Sequence, residues 1–519
     1  MRRQLLFAVL GVSLIAAGLA LGFSTHIPRT DGVMDDGCNT PVSVYEPNPE
    51  PPVGSAVVIH GLAGNRRIMK WLDEWLAAQR LRVYSIDLPG HGDSTEKFSY
   101  AYAEECSERA IGALAARGDI QLDRTVIVGH SLGGEIAIRL ADRIPTAGTI
   151  ALSPAPMVLP RRIPNNLLVI SAQFDLPQLR GEARRIAVAA GSDRVAPEDF
   201  AQMRAFQLST IPWADHVSPL VDERAERQAA AWARDAVEEA GPVQPVRGWP
   251  RAGAIVCGIG LVLLFPLAAL ILAGKRPESD PPRDPQVRIT FVHWLTIRTL
   301  LARWAVASAF AVALFSLTSH YNWLRLYNGS YLASCMLVTG LALLLLFRAH
   351  IASLRPQVRG IFAAVLLALI FSMAVRAWVG FSPDLTFLNV LSLLKTIANG
   401  FRLNTPRWLR FGPATLAVLP YFAAEEIAIG EPNAFRYWRR MGICLALRFE
   451  LWLLMLLAVY FTLNGQVLIL LMAPTFLALS ILQRLGSDVI RGRTGSAAAG
   501  AVFGAILAGW FIASVFPLT

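Results

Sequence analysis

The chain has 519 residues, 54% of them hydrophobic, and its mean hydropathy is +0.44. This composition is too apolar for a chain made only of water-soluble domains, and it indicates an integral membrane protein that has the lipid bilayer as a partner. The formal net charge of +10 is explained by basic loops beside membrane spans, which argues against nucleic-acid binding. Cysteines and histidines lack the spacing of a metal site, so we expect neither a metal nor another cofactor.

The first apolar segment covers residues 5–23 and follows Arg2 and Arg3. It is long enough to cross a bilayer. We therefore expect residues 1–24 to form an N-terminal transmembrane anchor. A cleaved signal peptide is the alternative, because small residues lie near the end of the segment.

Residues 125–141 contain a candidate nucleophile motif. Residues 125–128 predict a buried strand, residues 129–133 read Gly-x-Ser-x-Gly, and residues 135–141 predict a helix. The pentapeptide alone is a weak signal, but a strand, a tight turn and a helix that meet at one serine are typical of a nucleophile elbow. Ser131 is therefore the predicted nucleophile, held in a strained turn with its hydroxyl exposed.

The acid and the base follow in the chain order that such folds require. Asp175 ends a second buried-strand pattern, and His216 lies between a short strand and a helix that begins near Pro219. We expect His216 to take the Ser131 proton and Asp175 to hold the histidine tautomer. Taken alone, Asp175 could equally be a turn residue at the end of a strand. Taken alone, His216 could equally lie in a loop that caps a helix. Asp215 is a less suitable acid, since adjacent residues rarely point at each other.

A loop after an earlier strand, residues 55–59, is the expected oxyanion hole. The donors would be the backbone N–H groups of Leu62 and Leu132. His60 in the same loop is interpreted as a structural residue rather than a second base.

Together these motifs resemble the α/β-hydrolase family, nearest its monoglyceride-lipase and serine-aminopeptidase branch. The resemblance covers residues 38–240 and implies a doubly wound, mostly parallel sheet and hydrolysis through an acyl-enzyme. A serine at position 131 separates the chain from relatives that carry an aspartate there. Only residues 154–165 separate two strands between which many relatives insert a lid, so we expect a lidless domain. The matching residues are His60-Gly61, Asp87-Leu88-Pro89-Gly90-His91-Gly92-Asp93-Ser94, the motif at 129–133, Asp175 and His216.

The remaining chain is predicted to be an all-α transmembrane domain. A Pro- and Gly-containing linker at 241–252 precedes a polytopic region, 253–519, with about eight helices. With the N-terminal segment this makes nine crossings. The apolar spans lie near 253–274, 301–320, 328–347, 360–380, 411–430, 442–463, 466–483 and 496–516.

Charges in the short loops predict the orientation, because cytoplasmic loops collect Lys and Arg. With Arg2 and Arg3 inside, the hydrolase-like domain lies outside the cytoplasm. Residues 382–410 carry cations on the outer side, which favours an interfacial amphipathic helix. The basic inside loops contain Lys275, Arg276, Arg348, Arg355, Arg359, Arg436, Arg439, Arg440, Arg484, Arg491 and Arg493.

Cys38 and Cys106 are the two cysteines of the hydrolase-like region. If that region is extracytoplasmic, a disulfide between them is one interpretation, and two free thiols are the other.

Ionisable residues within the apolar half are costly, and they are therefore candidates for function. Glu425 and Glu426 are adjacent, while Arg376, Arg448 and Glu450 lie in other spans. An ion pair that fixes helix packing is the simpler interpretation. A paired glutamate also occurs in intramembrane CAAX-type proteases, but their pattern fits poorly because the expected arginine and later histidines are missing.

These patterns predict a membrane-tethered serine hydrolase that cleaves an ester, thioester or amide, with a preference for lipid or acylated substrates. Two alternatives use the same triad: a peptidase and an acyltransferase. A third is a transporter or structural membrane protein with a non-catalytic hydrolase module.

Overall fold

The protein is described here by a computed structural model. The structure describes residues 2–22, 27–47, 50–237, 242–246, 248–273, 297–317, 322–354, 356–379, 407–429, 437–462, 466, 468–469 and 472–519.

The chain divides into two compact units. One lies mainly within residues 20–254 and contains the β-sheet, and the other lies mainly within 255–516 and is helical. The fold class is therefore the expected one: an α/β unit of doubly wound type and an all-α unit.

The first unit is built on an eight-stranded sheet of order β1-β2-β4-β3-β5-β6-β7-β8. β1 and β2 are antiparallel to their neighbours, and the six strands from β4 to β8 are parallel. The central strands β5, β6 and β7 are buried along their whole length, as expected for strands covered on both faces, whereas the edge strand β8 is partly exposed. The strands are β1 Arg29–Val33, β2 Pro41–Tyr45, β3 Gly54–Ile59, β4 Leu81–Ile86, β5 Thr125–His130, β6 Gly148–Leu152, β7 Leu167–Ala172 and β8 Phe206–Ile211.

Helices cover both faces of this sheet. Side chains of α2 and α7, including Leu72, Leu76 and Trp232, form a hydrophobic core on one face. Side chains of α4 and α5, including Ile138 and Ile186, form a second core on the other. The helices of the unit are α2 Lys70–Ala78, α3 Tyr100–Ala116, α4 Leu132–Leu140, α5 Pro177–Ala190, α6 Pro197–Ala201 and α7 Glu223–Ala236.

Two connections of the unit bear on the sequence analysis. The segment between β6 and β7, residues 153–166, contains neither a helix nor a strand, so the expected absence of a lid there is confirmed. Cys38 and Cys106 form a disulfide that links the β1–β2 connection to α3. β1 begins at Arg29, upstream of residue 38, where the sequence places the start of the domain.

The second unit consists of long apolar helices. Among the described residues, five helices are long and apolar enough to cross a membrane: α8, α9, α10, α13 and α15. The bent pair Arg348–Leu354 and Val358–Ser372 would make a sixth. The helices are α8 Trp249–Ala273, α9 Ile297–Leu317, α10 Gly329–Leu346, α11 Val358–Val379, α12 Trp408–Ile429, α13 Tyr437–Thr462, α14 Ala473–Thr494 and α15 Ala497–Val515.

The sequence predicts nine crossings, and the described helices account for fewer by length and apolarity. α14 is long, but it carries Arg484, Asp488 and Arg491 and is too polar to count as a membrane span. α12, which carries Glu425 and Glu426, is not among the candidate spans either. Near the start of the chain, the apolar part of α1 (Arg2–Gly22) is shorter and covers Leu5–Leu21.

Part of the predicted topology lies outside the described residues. This applies to most of the expected interfacial helix, 382–406, to parts of the linker, and to the loop residues Lys275, Arg276, Arg355 and Arg436.

Candidate active site

Ser131 lies at the sharp turn between β5 and α4. Its φ is 53° and its ψ is −115°, a backbone conformation that a non-glycine residue adopts only under strain. The strain expected at this position is therefore present. Since α4 starts at Leu132, the serine also lies at the N-terminus of a helix, where the dipole favours developing negative charge.

The glycines on either side of Ser131 allow this turn. A Cβ built on Gly129 would lie 2.0 Å from the carbonyl oxygen of Gly133, and one on Gly133 would lie 2.1 Å from the carbonyl oxygen of Ile59. Any side chain at these positions would push the helix away from the sheet. The Gly-x-Ser-x-Gly spacing thus has a steric cause in this fold.

Asp175 and His216 form a buried pair at the carboxyl ends of β7 and β8. His216 Nδ1 lies 3.0 Å from Asp175 Oδ1 and 3.1 Å from Oδ2. Burial alone would raise the pKa of Asp175, but its hydrogen bond to His216, its electrostatic interaction with His216 and the Leu176 N–H lower that pKa below its ordinary value. The carboxylate therefore stays ionised and keeps the proton of His216 on Nδ1, which leaves Nε2 as an acceptor.

Asp215 has a different role. Its Oδ1 accepts hydrogen bonds from the Val217 and Ser218 N–H groups and from Ser218 Oγ, at 3.2, 2.9 and 2.6 Å. These bonds stabilise the start of the 3₁₀ turn Ser218–Leu220. Of the two acids weighed from the sequence, the one that contacts His216 is Asp175.

His130 connects the turn that carries Ser131 to the loop that carries His216. The His130 Nε2–H donates to the carbonyl oxygen of His216 at 2.9 Å, and the two rings lie 4.9 Å apart. Within the described part of the chain Ser131 Oγ makes no hydrogen bond, so the serine–histidine contact is not formed in this structure. Such contacts are often long in a free enzyme and tighten around the substrate.

The expected oxyanion donors lie next to this turn. β3 and β5 pair in parallel with Ile59 opposite Gly129, so the loop after β3 reaches the turn after β5. A Cβ on Gly61 would lie 2.9 Å from Ser131 Cβ, which shows how closely the loop approaches. The Leu62 and Leu132 N–H groups donate no hydrogen bond to any described residue, and both remain able to bind an anionic oxygen.

Comparison with known proteins adds the family. The sequence model of the Alpha/beta hydrolase family matches residues 56–325, just over half of the chain. This chain belongs to the α/β-hydrolase family.

Curated relatives match this chain over short segments. The dihydrolipoyllysine-residue acetyltransferase component of an acetoin cleaving system from Pseudomonas putida is 32% identical over 17% of this chain and 23% of its own length. The abhydrolase domain-containing protein C22H12.03 of Schizosaccharomyces pombe is 32% identical over 21% of this chain and 40% of its own length. The chain therefore spans less than half the length of these curated relatives.

Solved structures match less than half of this chain. The monoacylglycerol lipase of Paleococcus ferrophilus is 17% identical with a TM-score of 0.29, and it covers 42% of this chain and 100% of its own. The carboxylesterase EstE1, cloned from a metagenomic library, is 16% identical with a TM-score of 0.32, and it covers 44% of this chain and 96% of its own.

His60 has the structural contacts expected of it. Its Nδ1–H donates to the Gly61 carbonyl oxygen at 2.7 Å, and its Nε2 accepts from the Leu88 N–H at 3.0 Å. Burial lowers the pKa of His60, so the ring stays neutral. The imidazole thereby connects the two loops that follow β3 and β4.

A buried ion cluster beside His60 escaped the sequence reasoning. The Arg66 guanidinium contacts the Asp87 carboxylate, donates to Asp93 Oδ2 at 2.7 Å and donates to Ser43 Oγ at 2.9 Å. The Arg66 N–H also donates to Asp87 Oδ1 at 2.7 Å. The only sequence signal was the position of Asp87 at the end of a strand. The cluster holds the loop that carries the Leu62 N–H.

The sequence does not predict a separate role for His130, because this residue is part of the serine motif. Burial, followed by the charge of His216, lowers the pKa of His130 to about 3. It is therefore a neutral donor that holds the backbone of His216, and its signal in the sequence was its place next to Ser131.

Proposed function

We propose that this protein is a membrane-tethered serine hydrolase that cleaves an ester, thioester or amide through Ser131, His216 and Asp175. The observation that carries the proposal is the buried Asp175–His216 pair, at 3.0 Å, at the same end of the sheet as the strained serine. A carboxylate that binds Nδ1 leaves Nε2 to act as the base.

The chemistry follows in two steps. Ser131 Oγ attacks the carbonyl carbon while His216 Nε2 takes the hydroxyl proton, and the Leu62 and Leu132 N–H groups stabilise the oxyanion. The imidazolium then gives its proton to the leaving group, and an acyl-enzyme remains. Water, deprotonated by the same imidazole, releases the acid and restores Ser131.

The preferred substrates carry a hydrophobic acyl group. Phe174 and Trp213 precede Asp175 and His216 on their loops, and their rings meet edge to face with centroids 5.8 Å apart. They remain 58% and 81% exposed, and Trp213 has a positive φ of 62°. Strain that holds a large aromatic side chain in solvent is typical of a functional surface. The absence of a helix between β6 and β7 leaves no lid there over this surface.

The proposed location is a multi-pass membrane protein with the hydrolase unit on the extracytoplasmic side. Five helices long and apolar enough to span a bilayer support the tether. The Cys38–Cys106 disulfide supports an oxidising compartment, and the basic loops support the orientation. A reporter that is active only in the cytoplasm, inserted at Pro242, should therefore be silent, and a strong signal would reverse the orientation.

A series of nitrophenyl esters tests the activity. The purified full-length chain should hydrolyse them, and turnover should rise from acetate to decanoate. Trp213→Ser should reduce the decanoate rate more than the acetate rate, whereas Val188→Ser, an exposed apolar residue on α5, should leave the ratio unchanged. If the wild-type protein hydrolyses none of the esters faster than Ser131→Ala does, the protein is not a serine hydrolase of this type. A flat chain-length profile would remove the preference for apolar acyl groups.

A further inference from the structure

A cluster of charged side chains lies inside the helical unit, among α12, α13 and α14. We call it the arginine cluster. At most about a tenth of any of its side chains is exposed. It consists of Arg440, Arg448, Arg484, Arg491, Glu425, Glu426 and Asp488.

Each carboxylate of the arginine cluster has two arginine partners. Glu425 binds Arg448 at 2.6 and 2.7 Å and lies 3.3 Å from Arg484. Glu426 lies 2.7 Å from Arg484 and 2.6 Å from Arg491. Asp488 lies 2.6 Å from Arg484 and 2.8 Å from Arg440. Each of the three acids is therefore already paired with arginines of the cluster.

The charges of the cluster do not balance. Four guanidinium groups face three carboxylates, which leaves a surplus of one positive charge among the described residues. An ion cluster that serves only to fix helix packing gains from neutrality, because an uncompensated buried charge is strongly destabilising. No carboxylate among the described residues neutralises this surplus, so an anion bound at the cluster would stabilise it.

Arg440 is the arginine with donors to spare. Its side chain is completely buried, and among the described residues its ion-pair partner is Asp488, whose Oδ1 lies 2.8 Å from Nη2. Nε and Nη1 have no hydrogen-bond partner among the described residues, although they carry three N–H bonds. Arg484 Nε has no hydrogen-bond partner either. Buried donors left in this state cost free energy unless an acceptor binds them.

The position of Arg440 indicates what this acceptor is. Arg440 follows the first residue of α13, Tyr437, by three positions, which at the helical rise is roughly 4.5 Å from the helix start. α13 includes the candidate span Trp438–Phe461, so Arg440 lies near the level where a span meets lipid headgroups. Guanidinium groups are the preferred donors for phosphate oxygens.

We propose that Arg440, with the surplus charge of the arginine cluster, binds a phosphate-class anion at the end of the helical unit. A phosphodiester headgroup carries the single negative charge that would neutralise the cluster, and a free phosphate offers the same oxygens. The site is separate from Ser131 and does not depend on the proposed hydrolase activity.

A titration of the full-length protein in neutral detergent tests this site. Three ligands are compared by their affinity and by the rise they cause in the unfolding temperature: short-chain phosphatidylglycerol, inorganic phosphate, and diacylglycerol of the same chain length. A ligand that binds the folded state raises its apparent stability. Phosphatidylglycerol or phosphate should bind, and diacylglycerol should not. Binding of phosphatidylglycerol alone identifies a lipid headgroup, and binding of inorganic phosphate identifies a free anion.

Two variants decide whether Arg440 is responsible. Arg440→Gln should weaken binding at least tenfold. Arg439→Gln, at an adjacent exposed position, should stay within twofold of wild type. If Arg440→Gln does not fold, Asp488→Asn serves instead, and it should tighten binding because it raises the surplus charge. The proposal is overturned if neither phosphate ligand binds or if diacylglycerol binds equally well. It is also overturned if the affinity of Arg440→Gln is unchanged or if Arg439→Gln loses as much affinity as Arg440→Gln. Unchanged or weaker binding in Asp488→Asn overturns it as well.

Discussion

His216 Nδ1 lies 3.0 Å from Asp175 Oδ1, although 41 positions separate the two residues in the chain. The contact exists because β7 and β8 are parallel neighbours, so the loops at their carboxyl ends meet. Backbone bonds join the same loops, from the Phe174 N–H to the Ala214 carbonyl oxygen at 2.8 Å and from the Gln173 N–H to the Ile211 carbonyl oxygen at 3.1 Å. The pair is thus held by the sheet and by the loop backbones together.

Asp175→Asn should lower turnover by about four orders of magnitude, because an amide no longer holds the productive tautomer of the histidine. Asp215→Asn is the matched comparison, since Asp215 contacts Ser218 and not His216. It should lose less than tenfold. Both variants are assayed on a nitrophenyl ester after their unfolding temperatures have been compared. An inactive Asp215→Asn beside an active Asp175→Asn would mean that the acid has been misidentified.

The Arg66–Asp87 contact should matter for both stability and turnover. Arg66→Met leaves the Asp87 carboxylate buried without its guanidinium partner, which we expect to cost about 3–5 kcal/mol of unfolding free energy. It also frees the loop that carries the Leu62 N–H, so kcat should fall about tenfold to hundredfold. Denaturant unfolding and steady-state kinetics measure the two effects.

Arg109→Gln is the control for Arg66→Met. Its side chain is about half exposed and pairs with Glu105 on the surface, so its removal should cost less than about 1 kcal/mol. Equal losses in the two variants would show that the Arg66 contacts have no special role.

His130 should make the hydrolase unit less stable in acid. Its pKa is about 3 in the folded protein, against an ordinary value of 6.5. Below pH 6.5 the unfolded chain binds a proton at this position that the folded chain does not bind. The stability is therefore complete above pH 6.5 and is lost as the pH falls towards 3, by at most about 1.4 kcal/mol per pH unit.

Hydrogen exchange at the amides of β5 measures this effect. Protection in wild type should decrease between pH 7 and pH 4.5. In His130→Asn the decrease should be smaller, because the substituted side chain does not titrate. An identical decrease in both proteins would mean that other groups account for the acid sensitivity.

The parts of this site that the sequence predicts are local in the chain. A strand, the Gly-x-Ser-x-Gly turn and a helix are contiguous, so their pattern indicates the strained Ser131 directly. The chain order of strands likewise places Asp175 and His216 at strand ends. Local patterns carry their own physical signal, which is why a single sequence is enough for them.

The contacts that hold these residues are not local. Arg66 and Asp87 lie 21 positions apart, and His130 and the His216 carbonyl oxygen lie 86 positions apart. No spacing rule connects such pairs, because strand order and register decide which loops meet. The same holds for Cys38 and Cys106, for which the sequence left a bond and free thiols equally open, and for the charge surplus around Arg440.

Covalent labelling tests the central proposal most directly. The full-length protein is treated with a fluorophosphonate probe, and the adduct is mapped by peptide mass spectrometry in wild type, Ser131→Ala and Ser192→Ala, whose serine is exposed on the surface. The adduct should lie on Ser131 in wild type and in Ser192→Ala, and it should be absent from Ser131→Ala. Undiminished labelling of Ser131→Ala, or no labelling of wild type, would contradict a mechanism in which Ser131 is the nucleophile.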